Sequence, residues 1–343
     1  MSNKKNSSLF ILLALVAGLL FVWDLAYGPV SIPLKDVFSS ISGAEASKST
    51  WEYIIQNYRL PKATTAVLAG IGLSVSGLLM QTLFRNPLAG PDVLGLSSGS
   101  SLSVAFVVMG AGLIPGVLST WMLSSYGIIL ASCVGSFVVL LAVLAVSQRM
   151  RDTMGILIVG LMFGSFASAI VSILTYFSTA EQLQKYTFWA MGNLGNLSWL
   201  SVLILTVCVV FGLLVSVFCI KPLDALLLGE NYAKSLGLNY RRTQFTIIAA
   251  TSILTGSITA FAGPIAFIGL TVPHMVKLLF RTSDHKTLFS ATMLLGAVVL
   301  LVCDILCQFP GSDVTLPINA ITSLIGAPVV IWLLLRKRNT FDR

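Results

Sequence analysis

The run from Ala63 to Phe84 carries no charged residue and, as a helix rising 1.5 Å per residue, is long enough to cross a bilayer. It follows two cations around a proline (Arg59, Pro61, Lys62) and stops at Arg85-Asn86-Pro87, after which a Gly/Ser-rich apolar segment starts near Val93. Pro87 and Pro91 bracket the turn, so neither helix passes through it. Nine more apolar runs, at about 9–27, 93–110, 124–147, 154–177, 199–220, 244–262, 265–280, 288–307 and 317–335, bring the count to about ten spans. Only 10% of the 343 residues are charged, against about 25% in a soluble domain. The sequence therefore predicts an all-α integral membrane protein with about ten transmembrane helices, a single membrane domain over 1–343 with no soluble domain and no internal repeat. The first run follows Lys4 and Lys5 but precedes no small-residue cleavage site, and it reads as a retained helix.

The net charge of +8 reports topology and calls for no nucleic acid. With both termini on the cytoplasmic side, 16 of the 21 lysines and arginines fall in inner segments and 5 in outer ones, as the positive-inside rule requires. Two outer segments result, Gly28 to Tyr58 and Ser178 to Trp199. The first is partly helical. The second carries a short interfacial helix, with Trp189 and Trp199 at the headgroup level. The inner segment Lys221 to Thr243 contains GENYAKSLGLNYRR.

Catalytic chemistry is missing from the pattern. There is no G-x-x-x-x-G-K-[ST] loop, no H-E-x-x-H and no nucleophile elbow with an acid-base pair. Ionisable residues within the spans are scarce, with Asp24 and Asp304 near the outer ends, whereas ion-coupled pumps use buried carboxylates along the path. The five cysteines lie in apolar runs and read as small hydrophobes; the i, i+4 pair Cys303 and Cys307 makes a poor metal site. His274 reads as a packed residue and His285, between Asp284 and Lys286, as a surface one. In the fifth span Gly160, Gly164, Ser168 and Ser172 recur every four residues. That stripe is either a seam for close helix packing or a small, wettable wall of a translocation path.

Six segments, taken in order, resemble the FecCD-type permease subunits of type II ABC importers, the iron-siderophore, haem and cobalamin uptake family. They are RLPK at 59–62, SGLLMQTLFRNPLAGPDVLGLSSGSS at 76–101, YFST and FWAMGNLGNLSW at 176–179 and 188–199, LLLGENYAKSLGLN at 226–239, AGPIAFIGLTVPHMVKLLF at 262–280 and LPINAITSLIGAPVVIWLLL at 316–335. The resemblance covers about 55–336 and implies ten helices. It implies a second copy or a related permease beside this one, two cytoplasmic ABC ATPases and an extracytoplasmic binding protein. It also implies no cofactor in this chain, since ATP and Mg belong to the partner ATPase.

Residue by residue, the resemblance makes Asn86-Pro87-Leu88 a cytoplasmic gate, with asparagine capping the helix end, proline stiffening the turn and leucine as an apolar plug. It makes the loop at about 221–243 the ATPase-coupling segment, with Gly229 and Gly237 flanking a short helix whose polar face is Glu230, Asn231 and Lys234. Arg59 and Lys62 fall on the family's binding-protein docking motif, with lysine replacing a bidentate arginine, and a further docking arginine of the family falls near Gln308. The implied function is an ATP-driven importer permease of the bacterial inner membrane for a bulky metal chelate, iron-siderophore or haem, with cobalamin as the alternative. A secondary transporter or channel is the competing class, and an intramembrane enzyme finds no catalytic constellation.

Overall fold

A computed structural model describes residues 2–44, 46–111, 116–149, 153–195, 197–308 and 314–338. The extreme termini, on which the expectation of a common cytoplasmic side partly rests, lie outside the described residues, as does Arg151. In chain order the helices are α1 (Ser2–Ala26), α2 (Leu34–Ser42), α3 (Ser49–Ile54), α4 (Leu60–Leu83), α5 (Leu96–Gly110), α6 (Val117–Met122), α7 (Ser125–Arg149) and α8 (Thr153–Tyr176). They continue with α9 (Ala180–Ala190), α10 (Trp199–Val217), α11 (Ile220–Leu227), α12 (Glu230–Ser235), α13 (Tyr240–Ala262), α14 (Ile268–Phe280), α15 (His285–Leu306) and α16 (Ile318–Arg338). Among the described residues seven helical segments are long and apolar enough to cross a membrane, and three shorter apolar helices lie in α5, α14 and α16. These ten correspond one to one with the ten apolar runs.

The second span is longer than its apolar run, being helical from Ser49 to Leu83. Pro61 cannot donate to a carbonyl one turn back and its ring would clash there. The chain answers with a π-helical turn over Ile55–Arg59, in which Leu60 N–H reaches Ile55 O.

The described chain groups into two compact units, interleaved in sequence. One comprises Met1–Val75, Asn193–Val207 and Ile265–Arg343. Its core holds Leu25, Ile32, Val37, Ile55 and Ala63, with Phe21 and Trp51 packed on them. Here α4 and α15 approach so closely at Gly70 and Gly296 that a Cβ on either would overlap the other's backbone. Asn319 Oδ1 accepts the Ala266 N–H at 3.0 Å, holding the turn that precedes α14.

The other unit comprises Ser76–Gly192 and Cys208–Pro264. Its central crossing is α5 on α7, where a Cβ on Gly99 would stand 2.7 Å from Gly135 O. One residue along, Ser100 Oγ lies 2.5 Å from Ser136 Oγ and donates to Ser132 O at 3.1 Å. Helix α9 is the short helix anticipated after the fifth span. Thr179 and Gln182 form a capping box at its start, and Gln182 Nε2 and Lys185 Nζ donate to Met109 O and Leu123 O. Trp189 packs with Tyr186 against Val104, Val108 and Ala131.

One expectation is overturned. His285 is 1% exposed, not a surface residue. Asp284 caps α15, accepting from Thr287 N and Oγ1 at 2.9 and 2.7 Å, bonds that hold its carboxyl below the usual range. The Asp284 carboxylate belongs to the cap, and the first helical position turns inward.

In lipid, helices gain nothing by hiding apolar surface from each other, so association rests on contact, which small residues make close. Replacing Gly135 by Ala is expected to cost about 1–3 kcal/mol, the usual penalty of overpacking, read as a lowered thermal midpoint in detergent. Gly18→Ala, where a Cβ meets nothing within 4 Å, is expected to leave the midpoint unchanged.

Candidate functional site

Three of the expected sites lie in the unit that holds α5 and α7. Helix α4 ends in paired bonds, Asn86 N–H to Gln81 O at 3.1 Å and Arg85 N–H to Thr82 O at 3.2 Å, the pattern of a Schellman motif. The left-handed residue this motif needs is Arg85, at φ 48°. Asn86 therefore does not cap the helix, as its residue type led one to expect. Its Oδ1 accepts the Leu88 N–H at 2.9 Å, folding the next turn, and Leu88 stands 43% exposed.

Helix α12 is bounded by two glycines at positive φ, Gly229 at 106° and Gly237 at 85°. Gly237 closes a second Schellman motif, with Leu238 N–H on Ala233 O at 3.1 Å and Gly237 N–H on Lys234 O at 2.9 Å. Glu230 and Lys234 pair at 2.5 Å, and Lys234 Nζ also sits 5.4 Å from the Tyr240 ring centroid. Asn231 is exposed, and Ala233 is the one α12 residue buried. Sequence reasoning missed the apolar surface about this helix: Leu228 and Leu236, just beyond its two ends, and Tyr232 within it are 64%, 61% and 51% exposed. Their four-residue spacing was the available signal. Arg85 was missed too. Its guanidinium lies 3.7 Å from where a Cβ on Gly229 would stand, so the turn after α4 and the start of α12 are neighbours.

The small-residue stripe on α8 divides. A Cβ on Gly160 would overlap Val93 O, and one on Gly164 would lie 3.1 Å from Ser98 Oγ, so these two glycines are packing positions. Ser168 and Ser172 are exposed, with Ser172 Oγ donating to Ser168 O at 2.9 Å.

Arg59 and Lys62, expected at the docking motif, lie in the other unit, and both side chains are engaged within it. Arg59 is 7% exposed; its guanidinium donates to Leu25 O at 2.8 Å and to Val30 O. Lys62 Nζ pairs with Asp304 Oδ1 at 2.9 Å. Gln308 Nε2 donates to Asp24 Oδ1 at 2.8 Å. Asp24 and Asp304 are 3% and 1% exposed, so buried carboxylates are present after all. The ion pair with Lys62 is what makes burying Asp304 tolerable. Gly28, at φ 152°, closes the cluster: a Cβ there would stand 2.7 Å from Gln308 Oε1 and 3.0 Å from Arg59 Nη2. Neither the ion pair nor the carbonyl partners are visible in the local sequence. Among the described residues no group of three or more His, Cys, Asp or Glu could hold a metal ion.

Comparison with known proteins places this arrangement. The profile of the FecCD transport family matches residues 13–336. The hemin transport system permease protein HmuU of Yersinia pestis is 32% identical over 302 residues, 88% of each chain. The vitamin B12 import system permease protein BtuC of Klebsiella pneumoniae is 36% identical over 293 residues, 84% of each chain. A solved structure described as an inward-facing conformation of a metal-chelate type ABC transporter superposes with a TM-score of 0.78 at 28% identity, covering 96% of this chain and 99% of that one. A tight turn after α4, a short helix framed by two glycines and ten apolar helices thus sit on a chain that belongs to the FecCD transport family, the permease subunits of type II ABC importers.

Proposed function

We propose that this permease passes a bulky metal chelate, haem or an iron-siderophore, from an extracytoplasmic binding protein through the bacterial inner membrane. Cobalamin is the second reading, favoured by the identity to the vitamin B12 permease. The observation that carries the proposal is α12. A six-residue helix fixed at both ends by glycine motifs, with Leu228, Tyr232 and Leu236 uncovered about it and a Glu230–Lys234 pair, is a handle for another protein. That protein is one of two cytoplasmic ATPases, which bind the ATP and Mg that this chain does not. Force on α12 reaches the Asn86-Pro87-Leu88 gate through Arg85, the neighbour of Gly229. A second copy of the chain, or a related permease, completes the path, to which Ser168 and Ser172 contribute polar wall.

By the distribution of lysine and arginine along the sequence, α12 belongs to an inner segment and Arg59 to an outer one. The buried carboxylates do not revive a secondary transporter. Asp304 is paired with Lys62, Asp24 accepts from Gln308, and both sit at one end of their helices, not along a path. Docking of the binding protein at this corner then requires Lys62, 21% exposed at its side chain, to exchange Asp304 for an incoming acid.

Three outcomes test these assignments. Gly237→Val forces a β-branched residue into a left-handed position, and Glu230→Gln removes the pair. Each is expected to lower ATP-driven uptake of haem or siderophore in proteoliposomes about tenfold or more, against 1.4 kcal/mol per decade, while ATPase binding and basal hydrolysis persist. Normal uptake by both would remove α12 from coupling. Cysteines at positions 168 and 172 are expected to react with small water-soluble thiol reagents at rates that change with nucleotide; protection in every state would leave the stripe as packing alone. Lys62→Met is expected to lower stability by roughly 2 kcal/mol, below the full cost of breaking a buried pair because the ammonium is partly wet. Adding Asp304→Asn recovers most of that loss. If Lys62 also docks, the stable double variant captures binding protein more slowly at low salt; unchanged capture would make the pair purely structural.

A further inference from the structure

Helix α2 has one face held and one face uncovered. On the held side Asp36, Val37 and Ser40 are buried. Val37 joins the core with Leu25, Ile32 and Ile55, and Asp36 Oδ1 accepts the Ser47 N–H at 2.7 Å. On the other side Leu34, Phe38 and Ile41, spaced i, i+4, i+7, are 54%, 56% and 47% exposed. Lys35 and Ser42, which flank this stripe, are exposed as well. Nothing in the unit covers the three apolar side chains, yet the helix is fixed in place, so the stripe is a built surface.

We infer that α2 lies along the membrane–water interface at the Trp23 end of α1, seating Leu34, Phe38 and Ile41 at the boundary of headgroups and acyl chains. The argument is one of continuity. Helix α1 is a membrane span whose uncovered side runs through Leu12, Leu15, Leu19 and Trp23 to its end at Ala26. The connection to α2 is residues 27–33 only, and Leu25 and Val37 share a core, so α2 is held at the depth where that span leaves the hydrocarbon. A short amphipathic helix at this depth, apolar on one side and bearing Lys35 beside the stripe, has the form of an interfacial helix. Its neighbours suit the same zone. Lys48 Nζ rests 4.7 Å from the Trp51 ring centroid, and the exposed Tyr53 and Tyr58 pack edge to face at 5.9 Å. Amphipathic aromatic rings concentrate at membrane interfaces. The occupant of the stripe is therefore lipid of that leaflet. The inference does not depend on which chelate is carried or on which side of the membrane this end faces.

The test is a nitroxide scan of positions 34–42, one cysteine at a time, in full-length permease whose five native cysteines are replaced, reconstituted in phosphatidylethanolamine–phosphatidylglycerol vesicles. The ratio of oxygen to water-soluble nickel accessibility is expected to oscillate with helical period, several-fold higher at 34, 38 and 41 than at 35 and 42. Equal nickel access at all five positions would overturn the inference. So would shielding of 34, 38 and 41 that arises only on adding the binding protein, or spin–spin broadening between two copies, since either assigns the stripe to a protein partner. Should the cysteine-free background fold poorly, Phe38→Trp in the otherwise native chain gives a second reading. Lipids brominated near the top of the acyl chain are expected to quench the added fluorescence, and absence of quenching would overturn the inference equally.

Discussion

Direct contact between helix backbones is the interaction on which both units are built. Where α4 meets α15 at Gly70 and Gly296, and where α5 meets α7 at Gly99 and Gly135, no side chain stands between the two main chains. In water such a crossing would forgo apolar burial. In lipid the surrounding solvent is as apolar as leucine, so closeness itself, through summed dispersion, does the joining. The buried hydroxyls follow from the same geometry. Ser100 and Ser136 reach each other because the α5–α7 crossing leaves room for nothing larger.

Helices α4 and α12 share a second economy. Each is terminated by a Schellman motif, one using Arg85 and the other Gly237 at the left-handed position. Glycine adopts that conformation freely, whereas arginine does so against a steric preference. The chain places the unfavourable choice where its guanidinium then lies beside Gly229. A glycine at 85 would satisfy the cap and lose the neighbour.

Much of the fold was legible in the sequence because hydropathy is a local property and the bilayer enforces it. All ten apolar runs became helices, and the Gly229–Gly237 frame was readable from residue type and spacing. What was not legible depended on distant partners. Arg59 looked like a free cation until Leu25 O, 34 residues away, claimed it, and Gln308 meets Asp24 across 284 residues. His285 looked polar and exposed because its neighbours are charged, yet capping turned it inward. The stripe on α8 was read as packing or path, and periodicity alone could not show that its glycines face Val93 and Ser98 while its serines stand open.

The π turn at Ile55–Arg59 carries a consequence for register. One residue more than an α-helical turn advances the helix by about 100°. Everything before it, Trp51 and Ile54 included, is thus rotated by that amount relative to the face that α4 shows at Ala63 and Gly70. Ile55, Trp51 and Ile54 meet the α1–α2 core, while Gly70 meets α15. One continuous helix thus presents two faces to two neighbours without a break in its axis. Such a segment is sensitive to insertions and deletions: removing a single residue here would leave every helix intact and turn one half of this one away from its partners.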